Sequence, residues 1–390
     1  MSFDFDRVVD RRGTAALKWD IGKNELPMWV ADMEFETAPA VKEALAERVR
    51  HGVFGYSIVP DEWYDAYISW WESRHHFRME REGLIFCTGV IPALSSAVRK
   101  LTTPGENVVL LTPVYNTFFN SIRNNGRNAL ESPLKLDGTT YSIDWEDLEK
   151  KLSDPQTTLL FFCNPHNPIG KIWEKETLAR IGELSAKYGV VVIADEIHCD
   201  LCDPGKEYVP FASVSDVCRE NSITCIAPSK TFNLAGLQSA AVYAENPFLR
   251  HKIWRALNTD EVAEGNAFAV TAAVAAFTKG AEWLDACREY LLENKQYVAS
   301  QIKEKLPELT LIPSEATYLL WIDCRALPKD GSEFAKYLRR ETGLFLSEGR
   351  IYGKEGVGFV RMNIACPREM IRDGLDRLSE GVRKYQETYG

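Results

Sequence analysis

The stretch Ile226-Ala227-Pro228-Ser229-Lys230-Thr231-Phe232-Asn233 places a lysine close behind an apolar, β-rich run. That run, Ser222–Ile226, predicts a buried strand. A lysine at the end of a buried strand is unusual, because burying an unpaired ammonium group is costly. Where it occurs, burial lowers the basicity of the amine, which then forms imines with carbonyl compounds. A surface lysine at a strand end is the alternative, and the rest of the chain has to decide between the two.

Apolar runs of the same kind recur along the chain and predict the other strands. They are Leu84–Cys87, Asn107–Leu111, Thr158–Cys163, Val190–Ala194 and Ser239–Tyr243. Their apolar residues are continuous and do not alternate with polar ones, which is typical of strands buried on both faces in a largely parallel sheet. The predicted fold class is therefore α/β.

The length of 390 residues suits two domains. After about residue 285 the pattern changes to short strands between helices, at Tyr318–Asp323 and Val357–Asn363. This change suggests a separate, smaller α+β domain. We predict a large domain over 48–285 and a small domain formed by 1–47 and 286–390.

Polar side chains follow the predicted strands at the points where the strands end. These segments are Thr88-Gly89, Pro113–Tyr115, Asn164–Asn167, Asp195–His198 and Ser229-Lys230. In open α/β sheets, ligands bind in the crevice at the carboxyl ends of the strands. The sequence therefore predicts one site at this edge of the sheet, with Lys230 in it.

Composition excludes several classes of partner. The net charge of −10 argues against nucleic acid, and no apolar run is long enough for a transmembrane helix. The segment Met1–Asp6 lacks the basic and apolar regions of a signal peptide. Nine scattered cysteines favour a reducing compartment, so we expect a cytoplasmic protein in which Cys199 and Cys202 are structural thiols.

Cofactor motifs narrow the chemistry further. No G-x-G-x-x-G follows the first strand, no Walker loop is present, and the cysteines and histidines do not cluster as metal ligands. Pyridoxal phosphate needs a lysine for its aldehyde and an aspartate that keeps its ring nitrogen protonated, and Lys230 and Asp195 are candidates. The segment Thr88–Ile91 opens a helix that could receive the phosphate, and Tyr115 could lie against the ring.

Longer stretches carry a resemblance to a known family over nearly the full length. They are Phe3–Arg11, Met28–Phe35, His51–Ser57, Thr112–Phe119, Asn164–Gly170, Ala194–Asp200, Pro228–Gly236 and Gly358–Pro367. In their order and spacing the chain resembles fold type I pyridoxal-phosphate enzymes of the aminotransferase class I/II superfamily. Within that superfamily it is most similar to the MalY/PatB family of cystathionine β-lyase-type C–S lyases. The resemblance implies a mostly parallel seven-stranded sheet in the large domain.

The resemblance assigns roles to four residues around the cofactor ring. Lys230 matches the lysine that binds the cofactor as a Schiff base, and Asp195 matches the partner of the pyridine nitrogen. Asn167 matches the hydrogen-bond donor to the ring 3-oxygen. Tyr115 matches the aromatic residue stacked on the ring, and we expect Lys230 and Tyr115 to be the catalytic residues.

Other positions match the groups that hold the phosphate and the substrate. Gly89, Val90 and Ile91 match the phosphate-binding backbone at a helix start, and Ser229 is a further phosphate contact. Arg361 matches the arginine that binds the substrate α-carboxylate, a task for which its planar fork is suited.

Three positions depart from the pattern of plain aminotransferases. His198 replaces a tyrosine, as in the C–S lyase group, and it could contact the ring oxygen or only brace Asp195. Gln238 replaces a phosphate-binding arginine, and Ala227 replaces a serine. We therefore expect backbone amides and Tyr56 to hold the phosphate. Tyr56 matches a tyrosine that reaches the neighbouring subunit, which implies a homodimer with shared sites.

The reaction that the resemblance implies is β-elimination from a sulfur amino acid. The freed Lys230 removes the Cα proton as general base, and L-cystathionine or a related cysteine S-conjugate yields a thiol, pyruvate and ammonia. An aminotransferase with the same lysine and aspartate is the alternative. A cofactor-loaded regulatory protein is the third hypothesis, and the complete catalytic set argues against it as the sole role. Residues 1–40 and the partner subunit are expected to contact the substrate side chain.

Overall fold

The computed structural model describes residues 3–390, so Met1 and Ser2 of the segment tested for a signal peptide lie outside the described residues. The strands are β1 Leu26–Pro27, β2 Leu84–Cys87, β3 Asn107–Thr112, β4 Asn128–Pro133, β5 Lys135–Asp137, β6 Thr140–Ser142, β7 Thr157–Cys163, β8 Val191–Asp195, β9 Ser222–Ile226, β10 Ala240–Tyr243, β11 Thr310–Leu311, β12 Leu319–Asp323, β13 Leu344–Phe345, β14 Ser347–Glu348 and β15 Phe359–Asn363. The helices are α1 Pro39–His51, α2 Asp61–His75, α3 Val90–Leu101, α4 Thr117–Arg123, α5 Trp145–Leu152, α6 Lys175–Lys187, α7 Asp216–Glu220, α8 Pro228–Thr231, α9 Pro247–Thr259, α10 Ala269–Lys279, α11 Ala281–Lys305, α12 Phe334–Thr342 and α13 Arg368–Tyr389.

A seven-stranded sheet forms the centre of the molecule, with the strand order β2-β10-β9-β8-β7-β3-β4. Strand β10 runs antiparallel to both of its neighbours, and the other pairings are parallel. The α/β class and the mostly parallel seven-stranded sheet are thus confirmed. Because β3, β7, β8 and β9 run in one direction, the segments that follow them meet at one edge of the sheet.

Both faces of this sheet are covered, as the continuous apolar runs predict. In β3, Val108 and Leu110 pack into one apolar cluster, with Phe118 of α4. The alternate residues Val109 and Leu111 pack into a second cluster on the opposite face. All four of these β3 side chains are buried, which leaves no solvent-facing side on this strand.

A second, four-stranded sheet follows in the chain, with the order β11-β12-β15-β14 and antiparallel pairings. The N-terminal segment joins this part of the molecule, because Leu26 of β1 pairs with Leu344 of β13. The domain boundaries at 47/48 and 285/286 stay predictions. Within residues 3–390, every helix is too short or too polar to cross a bilayer.

The segment Met28–Phe35, here called the strap, connects β1 to the loop before α1 without forming a strand of its own. It passes between the two sheets, where Asn363 of β15 donates its backbone N–H to the carbonyl oxygen of Met28 at 2.9 Å. The strap thereby lies over the edge of the large sheet at which the polar segments meet.

Gly170 provides a test of how the two sheets fit together. Its φ is +65°, and a Cβ there would overlap the Cβ of Ser314 and the carbonyl oxygen of Ala316. We expect Gly170→Ala to lower the free energy of unfolding by about 3 kcal/mol, combining left-handed strain with overpacking. Gly189→Ala is the matched control, because Gly189 has a φ of +69° but no atom within 4 Å of the added Cβ. Thermal unfolding of both variants checks this, and equal midpoints would contradict the predicted clash.

Candidate active site

A cavity of about 220 Å³ lies at the carboxyl ends of the parallel strands. The predicted site residues that line it are Gly89, Val90, Ile91, Tyr115, Asn167, Asp195, His198, Ser229 and Lys230. They come from five separate segments of the chain, each of which follows a strand of the large sheet. The parallel topology therefore brings together residues as far apart in sequence as Gly89 and Lys230.

Lys230 lies on the short helix α8, which begins directly after β9. Its Nζ donates a hydrogen bond to the carbonyl oxygen of Ala31 in the strap, at 2.7 Å. Burial and the nearby guanidinium of Arg361 lower the pKa of Lys230 from its ordinary 10.5 to about 8, against the attraction of Asp32 and Asp195. The amine is therefore neutral in a substantial fraction of molecules near physiological pH.

Asp195 ends β8 and is buried. Among the described residues its carboxylate makes one hydrogen bond, as acceptor from the backbone N–H of Ile197 at 3.2 Å, and no ion pair. Burial raises the pKa of Asp195 to about 7, although this N–H and the Lys230 ammonium both favour the ionised form. A buried carboxylate without a cation is costly, so the site suits a ligand that presents a positive charge here.

His198 is buried beside the same cavity, with the ring of Tyr318 edge-on at 6.4 Å. Burial, together with the charges of Lys230 and Arg361, lowers the pKa of His198 to about 3, so the imidazole is neutral. Its Nδ1 has no hydrogen-bond partner within residues 3–390. Within the described residues His198 forms no hydrogen bond with Asp195, and its role toward the ring oxygen or that carboxylate stays a prediction.

Arg361 lies next to the cavity on β15, in the second sheet. Its Nη1 donates to Oδ1 of Asn167 at 3.0 Å, and its Nη2 donates to the carbonyl oxygen of Trp29 at 2.9 Å. The guanidinium carbon lies 4.9 Å from the centre of the Tyr352 ring. The buried Nε has no partner in the described part of the chain. This side chain therefore keeps an N–H available for an anion.

The start of α3 supplies the other polar end of the cavity. Gly89 precedes the helix in extended conformation, with a φ of 171°, so the first amides of α3 face a region without a capping side chain. Such amides favour an anion such as phosphate. Gln238 lines the cavity near this end, and of the lining residues described Lys230 is the one cation.

Tyr56 does not take part in the cavity of its own chain. Its side chain is 103% exposed, in a segment without regular structure between α1 and α2. This position agrees with a role toward another subunit, and that role stays a prediction.

Asp200 braces the helix that carries the lysine. It accepts hydrogen bonds from Nε1 of Trp70, Nε2 of His75 and Oγ1 of Thr231, each at 2.9 Å. Together with Cys199, His75 and Asp200 have ligand atoms within 4.8 Å of one another, as a metal site would need. However, three donors already occupy the carboxylate of Asp200, so we read the group as a hydrogen-bond network beside Lys230.

Two contacts of Lys230 and Arg361 are not predicted from the sequence, which indicates residues 1–40 only in general terms. They are the carbonyl oxygens of Trp29 and Ala31, which accept from Arg361 and Lys230. A backbone carbonyl is present at every residue, so no residue type signals it.

The donor set fits pyridoxal phosphate. Asp195 could pair with the protonated ring nitrogen, Lys230 with the aldehyde, and the amides at the start of α3 with the phosphate. The unpartnered Nδ1 of His198 could face a polar group of the ring. These roles are proposals that follow from the burial and the missing partners of the groups described above.

The lowered pKa of Lys230 leads to a measurable prediction for the cofactor-free chain. We expect an amine-selective reagent to modify Lys230 with a pH midpoint near its pKa of about 8, because burial and Arg361 disfavour the charged form. Peptide mass spectrometry would quantify the modification, with the exposed Lys100 and Lys303 as internal controls. Arg361→Gln removes a repulsive charge and should raise the midpoint. A midpoint near 10.5, the ordinary lysine value, would contradict the assignment.

Comparisons with known proteins agree with this geometry. The family model of aminotransferase class I and II matches residues 23–378. Cystathionine beta-lyase PatB of Bacillus subtilis is 42% identical over 97% of this chain and 100% of its own, and Protein MalY of Escherichia coli is 35% identical over 98% and 99%. The structure of cystalysin from Treponema denticola, which contains a pyridoxal 5'-phosphate cofactor, superposes with a TM-score of 0.94 at 32% identity, over 98% of this chain and 100% of that one. The chain therefore belongs to the aminotransferase class I and II family, and within it to the group that contains PatB and MalY.

Proposed function

We propose that this protein is a pyridoxal-phosphate-dependent C–S β-lyase. It cleaves L-cystathionine or a related cysteine S-conjugate to a thiol, pyruvate and ammonia. Two similar proteins support the reaction class: PatB is named a cystathionine beta-lyase, and the structure of a C–S lyase from Staphylococcus hominis superposes with a TM-score of 0.91 at 32% identity over 98% of both chains. The observation that carries the proposal is the lysine of lowered pKa, Lys230, in one cavity with the buried, unpaired carboxylate of Asp195.

Different residues around the cavity bind different parts of the cofactor. Asp195, which lines the cavity at the end of β8, would pair with the ring nitrogen. Asn167 would contribute its amide Nδ2, because Arg361 already occupies its Oδ1. Tyr115 lines one side of the cavity as the aromatic neighbour of the ring. When bound, pyridoxal phosphate supplies an electron sink for the negative charge that develops at the substrate Cα.

Lys230 acts as the general base for the Cα proton. A pKa of about 8 lies close to the working pH, where a base combines a large neutral fraction with useful proton affinity. The hydrogen bond from Nζ to the Ala31 carbonyl orients the amine, and the Thr231–Asp200 contact fixes the helix behind it.

Arg361 binds the substrate α-carboxylate. Its contacts with Asn167 and Trp29 fix the guanidinium plane from two sides, so a carboxylate meets an oriented donor. Because burial lowers the pKa of His198 to about 3, its imidazole is neutral and adds no competing charge beside the guanidinium.

The elimination reaction gives the first prediction for this function. Purified, cofactor-loaded protein should release pyruvate from L-cystathionine without any added keto acid, as followed by a coupled lactate dehydrogenase assay. Lys230→Ala should lower kcat by at least about 1,000-fold, because it removes the base. Pyruvate that forms only after a keto acid is added would favour an aminotransferase, the reaction after which the family model is named.

We further propose that the protein is a homodimer with shared active sites and that it is located in the cytoplasm. The segment around Tyr56 exposes several large apolar side chains, namely Val49, Val53, Phe54 and Ile58. Exposed apolar surface of this extent supports a protein interface. Buried free thiols, the state of all nine cysteines, are typical of proteins from reducing compartments.

Shared sites can be tested by complementation between two inactive chains. In a mixed dimer of Lys230→Ala and Tyr56→Ala, one site receives both native residues and the other receives neither. Random mixing by co-expression makes about half of the dimers mixed, and each mixed dimer has one of its two sites active. The mixture should therefore show about a quarter of the wild-type activity. Activity no greater than the sum of the two homodimers, in samples shown by light scattering to be dimeric, would rule out a contribution of Tyr56 to the partner's site.

A further inference from the structure

At Met28 the strap forms backbone hydrogen bonds with Phe345 of β13 and Asn363 of β15. Beyond Met28, side chains satisfy its backbone carbonyls one after another. The carbonyl oxygen of Trp29 accepts from Arg361 and Ser347, and that of Val30 accepts from Asn363. The carbonyl oxygen of Ala31 accepts from Lys230 and Tyr318, and that of Asp32 accepts from Asn363 and Lys18. The carbonyl oxygen of Met33 accepts from Asn233 and Arg11, and that of Phe35 accepts from Asn233. Two asparagines account for much of this set, and each follows closely on one of the catalytic cations.

Asn233 holds the strap from the large sheet. It comes three positions after Lys230 and has a left-handed backbone, with a φ of 57°. Its Oδ1 accepts from the N–H of Met33 at 3.0 Å, and its Nδ2 donates to the carbonyl oxygens of Met33 and Phe35, both at 3.0 Å. One amide side chain thus satisfies three backbone groups of the strap, as the backbone of a neighbouring strand would do in a sheet.

Asn363 holds the strap from the second sheet. It comes two positions after Arg361 on β15, so both side chains leave the same face of that sheet. Its Nδ2 donates to the carbonyl oxygens of Val30 at 2.5 Å and Asp32 at 2.7 Å. Its Oδ1 accepts from the N–H of Ala365 at 2.8 Å, which fixes the orientation of the amide.

Lys230 and Arg361 donate to strap carbonyls that are adjacent in sequence to those held by Asn363. Arg361 donates to Trp29 and Lys230 donates to Ala31, while Asn363 holds the residue between them, Val30. Since Lys230 follows a strand of one sheet and Arg361 belongs to the other, the strap is a physical connection between the two side chains. A shift of the strap would therefore move the acceptor of each cation.

We propose that Asn233 and Asn363 are positioning residues for the reaction. They hold the strap from two sheets, and its Ala31 and Trp29 carbonyls in turn set the orientation of Lys230 and Arg361. This inference rests on the proposed function for the roles of the two cations. It assigns the asparagines no contact with the substrate, and their effect passes through the backbone of the strap.

Asn294 offers a matched control. It is fully buried, and its Nδ2 donates to the carbonyl oxygens of Ile364 at 3.2 Å and Cys366 at 3.1 Å. Its Oδ1 accepts from Nε of Arg368 at 2.8 Å. Asn294→Ala therefore removes the same kind of side chain and a similar number of hydrogen bonds, and Asn294 itself makes no hydrogen bond with the strap. The segment that it holds contacts the strap through one backbone hydrogen bond, from the N–H of Glu34 to the carbonyl oxygen of Ala365 at 2.8 Å.

The first measurement is hydrogen–deuterium exchange of the cofactor-loaded protein, read on the peptide that covers residues 28–35. Asn233→Ala and Asn363→Ala should each speed up exchange in this peptide, and Asn294→Ala should leave it as in the wild type. If the alanine variants fail to fold, Asn→Asp at the same positions keeps the shape and one acceptor but removes the donors. Exchange that is unchanged in the strap variants, or changed equally in Asn294→Ala, overturns the proposal.

The second measurement separates positioning from a general loss of stability. It compares kcat/KM for S-methyl-L-cysteine and for its carboxamide, which lacks the charge that Arg361 binds. Asn363→Ala should lower the ratio of kcat/KM for S-methyl-L-cysteine to that for the carboxamide by about ten-fold, because Arg361 has lost its fixed orientation. A preference equal to that of Asn294→Ala overturns the proposed role. If the wild type releases pyruvate from neither L-cystathionine nor S-methyl-L-cysteine, the proposed function fails, while the exchange data still decide whether the asparagines hold the strap.

Discussion

The cost of burying charged groups is the constraint on which this site depends. Burial pushes each titratable group toward its neutral form: it lowers the pKa of Lys230 and His198 and raises that of Asp195. These shifts have one cause, burial, but different chemical consequences. Lys230 becomes an amine that can act as a base, His198 an uncharged imidazole, and Asp195 a carboxylate that requires a cation. A ligand that carries a positive ring nitrogen and a negative phosphate would relieve the cost at both ends of the cavity.

Two features of the fold, the parallel strands and the strap, hold these buried groups in place. Parallel strands deliver the side chains to one edge of the large sheet, since each segment that follows a strand ends in the same place. The strap then closes that edge without a ladder of its own, held by side-chain amides and by the cations it orients. The outer side of the strap is itself anchored, because Arg11 and Lys18 form ion pairs with Asp32 and Glu34.

Most of the sheet and the composition of the cavity could be predicted from the sequence. Continuous apolar runs and the polar residues behind them are local signals, and they indicated the strands and the segments around Asp195 and Lys230. The edge strand β4 and the helices α9 and α10 were not predicted; β4, with its partly exposed pattern, shows no continuous apolar run. Contacts through the carbonyls of Trp29 and Ala31 have no residue-type signal at all. The proposed role of Tyr56 would need a second chain, so the contacts of one chain do not test it.

The burial of the cysteines has a consequence for a protein that releases thiols. All nine thiols are free and buried, and burial raises the pKa of each, including that of Cys163 beside the cavity. Only the thiolate attacks a disulfide, and it must also reach it. The protein is therefore insulated from exchange with a sulfur product or with a disulfide substrate such as cystine. Cys163, which lines the cavity, is thereby kept as an unreactive thiol beside the place where a sulfur product would leave.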